Sequence, residues 1–247
     1  MPRREAVHTT GLPSAHLAFT DASDGDLAVT GPADDLERRR SRVAPHDWTW
    51  LRQVHGARVV EVDAPGEWCG AEADAAVTDT PGAVLAVHTA DCAGVLLVGS
   101  GADPVSGEPT AVVGAAHAGW RGLGEGVLQH TVAAMRRLGA DRFTWDVGPC
   151  ISPAAYEFGD DELAALTGRY GDSLRSTTLD GAPALDLRAG VRAALSEAGL
   201  DPSTGPATVP CTALDPGFFS WRARADTARQ AAVVWLAPDD HDYPWHV

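Results

Sequence analysis

Two segments of the sequence decide the fold: TADCAGVLLV, residues 89–98, and AVVGAAHAGWRG, residues 111–122. Each contains a short run of valine, leucine or alanine bounded by Gly, Asp or Ser, which is typical of a buried strand. Cys92 stands just before the first run, and His117 stands just after the second. Because functional residues concentrate where strands give way to loops, these two side chains are candidates for a shared site.

The surrounding sequence mixes strand-like and helix-like patterns without strict alternation. Further strands are predicted within residues 48–62 and at residues 83–87, 145–147 and 231–236. Helices are predicted at residues 34–42, 124–138, 160–169 and 186–198, the last capped by Asp186 and stopped by Gly199. Such a mixture favours an α+β or mixed α/β fold, with mixed β-sheets flanked by helices.

The organisation along the chain favours a single domain. We find no internal repeat, no low-complexity linker and no clear boundary between domains in the 247 residues. The first fifteen residues are polar and are predicted to form a flexible N-terminus, whereas residues 16–247 are predicted to form one globular domain.

Charge and composition exclude several functions. The net charge of −15 and the pI near 4.8 argue against binding to nucleic acid as a polymer or to an anionic membrane. All 19 basic residues are arginine, so a Schiff-base, P-loop or general-base lysine is excluded. The four cysteines are scattered, and no apolar segment approaches membrane-spanning length, which favours a reducing cytoplasm.

A third metal-ligand candidate lies upstream, in the motif Gln53-Val54-His55-Gly56. One cysteine and two histidines form a three-ligand zinc set that leaves a fourth position open for water or substrate. His55, Cys92 and His117 are therefore candidate Zn²⁺ ligands in a site open enough for catalysis. Taken singly, a cysteine after a strand is usually a buried small hydrophobe, and a histidine is usually a surface or hydrogen-bonded residue.

A series of motifs along most of the chain resembles the YfiH-type family, whose members have been labelled laccase-domain proteins or polyphenol oxidases, purine nucleoside phosphorylases and peptidoglycan editing factors. The motifs are Gln-Val-His-Gly (53–56), Ala-Asp-Cys (90–92), His-Ala-Gly-Trp-Arg-Gly (117–122), Gly-Pro-Cys-Ile (148–151), Tyr-Glu (156–157), Cys-Thr (211–212) and Phe-Phe-Ser-Trp-Arg (218–222). The resemblance implies a YfiH-like catalytic domain with zinc on His55, Cys92 and His117.

The resemblance also implies an activity on purine nucleosides. The expected reactions are phosphorolysis of adenosine, inosine or methylthioadenosine, and deamination of adenosine by zinc-activated water. Phosphorolysis needs an anion clamp, which arginine suits because its planar fork binds two oxygens at once. Arg121 is the first candidate, followed by Arg222 and then Arg58. Nucleoside and phosphate are the expected partners, and the protein is expected to be a monomer.

Several further residues are predicted to support the site. Asp91 is expected to orient a zinc-ligating histidine, and Gln53 to contact substrate. His88 is interpreted either as a base or substrate contact, or as a satisfied histidine of the sheet. Cys211 is expected near the pocket, whereas Cys69 and Cys150 are interpreted as structural.

One departure from the family pattern bears on the reaction. The family usually carries an arginine in a Phe-Ser-Thr-Arg motif near the N-terminus, where this chain has Asp21 after Phe19 and Thr20. The reversed charge weighs against phosphate-dependent chemistry more than against hydrolysis. It also supports a third hypothesis, a catalytically impaired interaction protein.

The resemblance implies a second enzymatic hypothesis, a hydrolase that removes a wrong amino acid from a UDP-MurNAc peptidoglycan precursor. Cys92 would be the nucleophile and His117 the base. The His-x-Glu and Pro-Cys-x-x-Cys signature of cytidine deaminases is absent. A copper oxidase is disfavoured because the two methionines and nine histidines do not provide blue-copper and trinuclear sites.

Overall fold

The protein is built around two five-stranded β-sheets that pack face to face. The computed structural model describes residues 3–9 and 11–238. The first sheet has the strand order β1-β2-β12-β6-β3, and the second has the order β4-β5-β8-β7-β9. Both are mixed, because β3 pairs parallel with β6 and β4 pairs parallel with β5. The α+β prediction, with mixed sheets and helices in one domain, is confirmed.

The strands are β1 Arg3–Val7, β2 Ala15–Phe19, β3 Trp48–Trp50, β4 Val59–Glu61, β5 Ala75–Thr78, β6 Val84–Thr89, β7 Ala93–Ala102, β8 Pro109–Ala118, β9 Ala140–Val147, β10 Arg175–Thr177, β11 Pro183–Leu185 and β12 Gln230–Leu236. The helices are α1 Ala33–Val43, α2 Trp120–Glu125, α3 Val127–Arg137, α4 Asp160–Tyr170, α5 Leu187–Glu197 and α6 Trp221–Arg224. Strands β10 and β11 form a separate hairpin.

Apolar side chains fill three layers around the sheets. Between the two sheets, Leu85 and Val234 of the first sheet belong to the same buried cluster as Leu96 and Val113 of the second. The outer face of the second sheet packs against helices α2 to α5, and the outer face of the first packs beside α1. Both central strands β7 and β8 are buried on two faces, which explains why their sequences are almost continuously apolar.

The predicted helix over residues 124–138 differs from the structure. The chain enters α2 at Trp120, leaves it at Gly126 and begins α3 at Val127. Gly126 has φ +87°, a left-handed conformation that glycine adopts without steric cost. The helical segment therefore begins at Trp120, three residues after His117, and is interrupted at Gly126.

The N-terminal prediction also differs from the structure. Residues 3–7, within the segment predicted to be flexible, form edge strand β1 in antiparallel pairing with β2. The strand is polar because only one of its edges is paired, and Arg3 anchors it through an ion pair of 2.5 Å to Asp146. Among the described residues no helix is long and apolar enough to cross a membrane.

Candidate metal centre

His55, Cys92 and His117 converge on one point at the end of the second sheet. Cys92 directly precedes β7, and His117 lies near the end of β8, so antiparallel pairing of these strands brings the two side chains together. His55 comes from the loop between β3 and β4. The three ligand atoms all lie within 4.8 Å of one another.

The approach of these side chains depends on Gly119. A β-carbon at this position would lie 2.9 Å from His55 Cδ2 and 3.1 Å from Cys92 Sγ. Both distances are too short for ordinary contact, so any larger residue would displace the histidine or the thiol. Glycine therefore leaves room for the cluster at the point where β8 turns into α2.

Asp74 holds the cluster together, although the sequence prediction did not include it. Its buried carboxylate accepts hydrogen bonds from three consecutive backbone N–H groups, those of Val54 (3.1 Å), His55 (2.9 Å) and Gly56 (2.8 Å). It also bonds His117 Nδ1 at 2.8 Å. One carboxylate thus fixes the loop that carries His55 and the ring of His117.

The same bonds explain the backbone conformation of His55. Its φ of +62° lies in the left-handed region, which is unfavourable for a residue with a β-carbon. Such a conformation persists only where the surroundings impose it, and it is concentrated at functional sites. Here the three N–H bonds to Asp74 supply that constraint.

The electrostatics of the cluster favour a cysteine thiolate. Burial opposes ionisation of Cys92, but the adjacent His117 and His55 rings outweigh it and lower the pKa of the thiol to about 6. Burial also opposes charging of His117, yet Cys92 and Asp74 raise the pKa of its imidazole to about 9. Positive charge is therefore stabilised between the sulfur and the ring nitrogens.

These features fit a metal ion. The Asp74 carboxylate keeps a proton on His117 Nδ1 and so presents Nε2 as the ligand atom, an arrangement common among metal-binding histidines. A cation between the ligands would take the place of the proton that His117 and Cys92 share. Among the described residues this is the single group of three or more His, Cys, Asp or Glu side chains with metal-binding spacing.

The structure corrects the interpretation of Asp91. Its carboxylate accepts hydrogen bonds from Thr212 Oγ1 (2.7 Å) and from the backbone N–H of Arg222 (2.6 Å). The carboxylate bonded to His117 is that of Asp74 instead. Asp91 therefore joins the Cys92 turn to the segment that carries Arg222, with its own backbone at φ +103°.

Arg222 and Arg121 each lie over an aromatic ring near the cluster. The Arg222 guanidinium is 5.1 Å from the centre of the Tyr156 ring and donates to the backbone oxygen of Glu157. The Arg121 guanidinium is 4.9 Å from the centre of the Trp120 ring. Neither arginine forms an ion pair with a carboxylate among the described residues.

Phe158 connects the two aromatic supports. Its ring meets Trp120 edge-on at 5.5 Å and Tyr156 edge-on at 5.3 Å between ring centres. The row Trp120–Phe158–Tyr156, which we call the aromatic row, therefore carries one unpaired arginine at each end.

Arg58, the third candidate for an anion clamp, has other contacts. Its guanidinium donates to the backbone oxygen of Glu72 and lies 5.8 Å from the centre of the Trp68 ring. It lines a groove of about 710 Å³ beside the His55 loop, together with Glu72, Glu125 and His130.

Gln53 and His88 meet through the backbone of His88. The Gln53 amide donates to the His88 carbonyl oxygen (2.8 Å) and accepts from the His88 N–H (2.7 Å). The His88 ring is buried beside Trp48, and neither ring nitrogen has a hydrogen-bond partner among the described residues. Burial, together with Arg40 and Arg229, lowers the pKa of His88 to about 3, so its ring is neutral.

Asp21 has a local role in the structure. Its carboxylate accepts from the N–H (2.8 Å) and hydroxyl (2.5 Å) of Ser23 and caps a short 3-10 turn over residues 22–24. The aspartate at this position therefore stabilises the start of the 3-10 turn.

The cysteines outside the cluster are free thiols. Cys150 is buried, and its backbone forms an isolated parallel β-bridge with the backbone of Cys211. The Cys211 sulfur accepts a hydrogen bond from the Ser152 N–H. Cys69 donates to the Trp48 carbonyl oxygen.

Comparison with known proteins places the chain in a family. A family model described as "Multi-copper polyphenol oxidoreductase laccase" matches residues 3–237. A Streptomyces griseus protein named purine nucleoside phosphorylase ORF3 is 40% identical, over 90% of this chain and 95% of that protein. A Deinococcus radiodurans protein named purine nucleoside phosphorylase is 39% identical, over 91% of this chain and 83% of that protein.

Solved structures agree with this assignment. The crystal structure of the Bacillus licheniformis hypothetical protein YfiH has a TM-score of 0.75 and 26% identity, covering 90% of this chain and 92% of that one. YlmD from Geobacillus stearothermophilus has a TM-score of 0.73 and 25% identity, covering 94% and 98%. The chain therefore belongs to the laccase-like YfiH family, as its motifs predicted.

Proposed function

We propose that this protein is a zinc-dependent purine nucleoside phosphorylase that acts on adenosine, inosine or methylthioadenosine. The observation that carries the proposal is the position of two unpaired arginines on an aromatic row beside the His55–Cys92–His117 cluster. The names of the relatives at about 40% identity support the same activity. Phosphorolysis requires both an electrophilic or anchoring centre for the nucleoside and an anion site, and this arrangement offers both.

Zinc fits the ligand set better than copper does. One thiolate and two imidazoles with a fourth position free is a ligand set typical of catalytic zinc. A multicopper oxidase needs a trinuclear centre with many more histidines, and the described residues contain one ligand cluster only. When bound, zinc would act as a Lewis acid that polarises the purine and lowers the pKa of a water molecule.

The protein groups have separate tasks in phosphorolysis. Arg222 and Arg121 hold phosphate and orient one of its oxygens toward the anomeric carbon of the ribose. A bond forms between that oxygen and the anomeric carbon while the glycosidic bond to the purine nitrogen breaks, and the electron pair leaves with the base. Asp91 acts as a positioning residue, because it holds the backbone of Arg222.

The same cluster supports deamination of adenosine as a second reaction. A bond forms between the oxygen of water and C6 of the purine while the C6–N bond breaks and the amino group leaves as ammonia. This reaction needs no phosphate, so it depends on the cluster and not on Arg222 or Arg121. The two reactions are therefore separable by the phosphate requirement.

The test is chromatography of adenosine after incubation with the zinc-loaded protein, with and without phosphate. We expect adenine and ribose 1-phosphate only with phosphate, and inosine in either condition. Cys92→Ser should lose both products, whereas Cys69→Ser, a matched change outside the cluster, should retain them. Absence of phosphate-dependent adenine release by fully zinc-loaded wild-type protein would overturn the phosphorylase proposal, and absence of inosine would overturn the deamination.

A second candidate function rests on a specific contact. Cys92, His117 and Asp74 have the arrangement of a thiol nucleophile, an imidazole base and an orienting carboxylate, which is the constellation of cysteine hydrolases. This supports thiol-dependent hydrolysis, for which the family resemblance suggests a UDP-MurNAc precursor carrying a wrong amino acid as the substrate. Chelation separates the two candidates, since a metal-free protein would keep hydrolase activity and lose phosphorolysis.

A further inference from the structure

Tyr156 has a hydroxyl that the fold does not use. The side chain is largely buried, yet its Oη forms no hydrogen bond with a described residue. The atom is not one of the polar atoms that are closed off from solvent without a partner. Tyr170, by contrast, donates to the Leu123 carbonyl oxygen at 2.6 Å and accepts from Gln129 at 3.1 Å. A tyrosine hydroxyl in a mostly buried position usually has a partner. Among the described residues, the Tyr156 hydroxyl is therefore a donor that remains available to a ligand.

The ring of Tyr156 is held in place from two sides. Phe158 meets it edge-on, with an interplanar angle of 70°, and the Arg222 guanidinium covers it. The backbone is fixed as well, because the Tyr156 carbonyl oxygen accepts from the N–H of Leu185. The direction of the hydroxyl is thus determined before any ligand binds, which lowers the entropy cost of a contact.

Ionisable groups of both signs surround Tyr156. Its hydroxyl lies within electrostatic range of the acidic groups of Cys92 and Asp91 and of the basic groups of Arg222 and Arg121. Burial, then Cys92 and Asp91, raise the pKa of Tyr156, so the hydroxyl stays protonated and can donate. A donor beside the Arg222 guanidinium is suited to an oxyanion.

We propose that Tyr156 Oη donates a hydrogen bond to an oxygen of the phosphate that Arg222 holds, and so determines the affinity for the anionic co-substrate. This inference rests on the proposed phosphorylase function and deepens it. An anion bound here would contact the Arg222 guanidinium, which lies over the face of the Tyr156 ring, and the Tyr156 hydroxyl at the edge of that ring. The contact adds a directional donor to a site whose charge alone would accept any anion.

The experiment compares Tyr156→Phe with Tyr170→Phe in zinc-loaded protein. Tyr156→Phe keeps the ring, its contact with Phe158 and its cover by Arg222, so we expect normal folding. The KM for phosphate should rise by about tenfold or more, as for loss of a hydrogen bond to a charged group. The KM for the nucleoside should change by less than about twofold, because the Tyr156 hydroxyl contacts the phosphate and not the nucleoside.

Tyr170→Phe provides the control, because it removes a satisfied hydroxyl outside the site. It should lower the melting temperature and leave the phosphate KM unchanged. An unchanged phosphate KM in Tyr156→Phe, or a change confined to the nucleoside KM, would overturn this inference and leave the phosphorylase proposal intact. Lack of phosphate-dependent base release by the wild-type protein would overturn both.

Discussion

Asp74 and Asp91 are both buried carboxylates beside the cysteine–histidine cluster, but they organise different parts of it. Asp74 collects three backbone N–H groups of the His55 loop and the ring of His117. Asp91 collects the Thr212 hydroxyl and the backbone N–H of Arg222. One aspartate shapes the metal-binding half of the site, and the other shapes the half that carries the arginine. The comparison shows that the two halves are built by separate hydrogen-bond networks.

The largest expected effect comes from breaking the Asp74 network. In Asp74→Asn, one of the carboxylate oxygens becomes an NH₂ donor that faces backbone N–H donors. We expect a loss of about 2–4 kcal/mol in the free energy of unfolding, as for other buried networks that lose a charged acceptor. Chemical denaturation at pH 7 measures it. A loss below about 0.5 kcal/mol, the range of ordinary surface substitutions, would contradict this role.

The stabilisation from Asp74 should also depend on pH. Burial raises the pKa of the carboxyl, but hydrogen bonds from His117 and Gly56 outweigh it and leave the pKa below its ordinary value. A carboxyl with a depressed folded-state pKa stabilises the fold fully above about pH 4 and loses that contribution as the pH falls through the folded pKa. The stability difference between wild type and Asp74→Asn should therefore be constant from about pH 6 to 5 and should narrow below pH 4.

The next effect concerns the arginine half. Arg222→Gln removes an exposed guanidinium that has no carboxylate partner within residues 3–9 and 11–238, so we expect little change in stability. The KM for phosphate should rise by about tenfold, which corresponds to ~1.4 kcal/mol. Arg142→Gln, the same change of charge at an exposed position of β9, is the control. An equal rise in both variants would mean that long-range charge, and not contact, governs phosphate affinity.

Asp91→Asn should have a smaller effect in the same direction. The amide keeps one acceptor oxygen but loses the charge that holds the Arg222 N–H and the Thr212 hydroxyl. We expect a loss of about 1–2 kcal/mol in stability and a rise of a few-fold in phosphate KM. Combining Asp91→Asn with Arg222→Gln tests whether the two act together, since coupled residues give less than additive effects. Full additivity in phosphate affinity would contradict the positioning role of Asp91.

The smallest effect is expected at His88. Its ring nitrogens have no partner among the described residues, so His88→Leu removes two polar atoms that cost desolvation energy. We expect a change in stability within about 1 kcal/mol, of either sign. A large loss of stability would indicate a hidden hydrogen bond, and a large rise in nucleoside KM would support the substrate-contact interpretation of this histidine.

The sequence predicted the parts of the structure that local patterns encode. Apolar runs identified the central strands β6, β7 and β8, and the motifs identified His55, Cys92 and His117. The sequence does not predict Asp74 as a site residue, because its hydrogen-bond partners lie 18 to 20 residues before it and 43 residues after it. Its local context, an aspartate before a short apolar run, does not indicate which loop it will bind.

Other differences have equally physical causes. Residues 3–7 form an edge strand although their sequence is polar and shows no strand pattern. Main-chain pairing with β2 needs little apolar surface, so the strand leaves no apolar signal in the sequence. The break at Gly126 depends on a left-handed conformation that helical periodicity does not reveal. Asp91 was placed next to a histidine because it adjoins Cys92 in sequence, whereas its turn directs the carboxylate to Thr212 and Arg222.

The most direct test of the separation between the two halves is the zinc content of Asp74→Asn and Asp91→Asn, measured side by side by elemental analysis after dialysis against a graded zinc buffer. Asp74→Asn should bind zinc with about 10- to 100-fold lower affinity, because it removes the carboxylate that orients a ligating histidine. Asp91→Asn should match the wild type. Equal losses in both variants, or a loss confined to Asp91→Asn, would contradict the account.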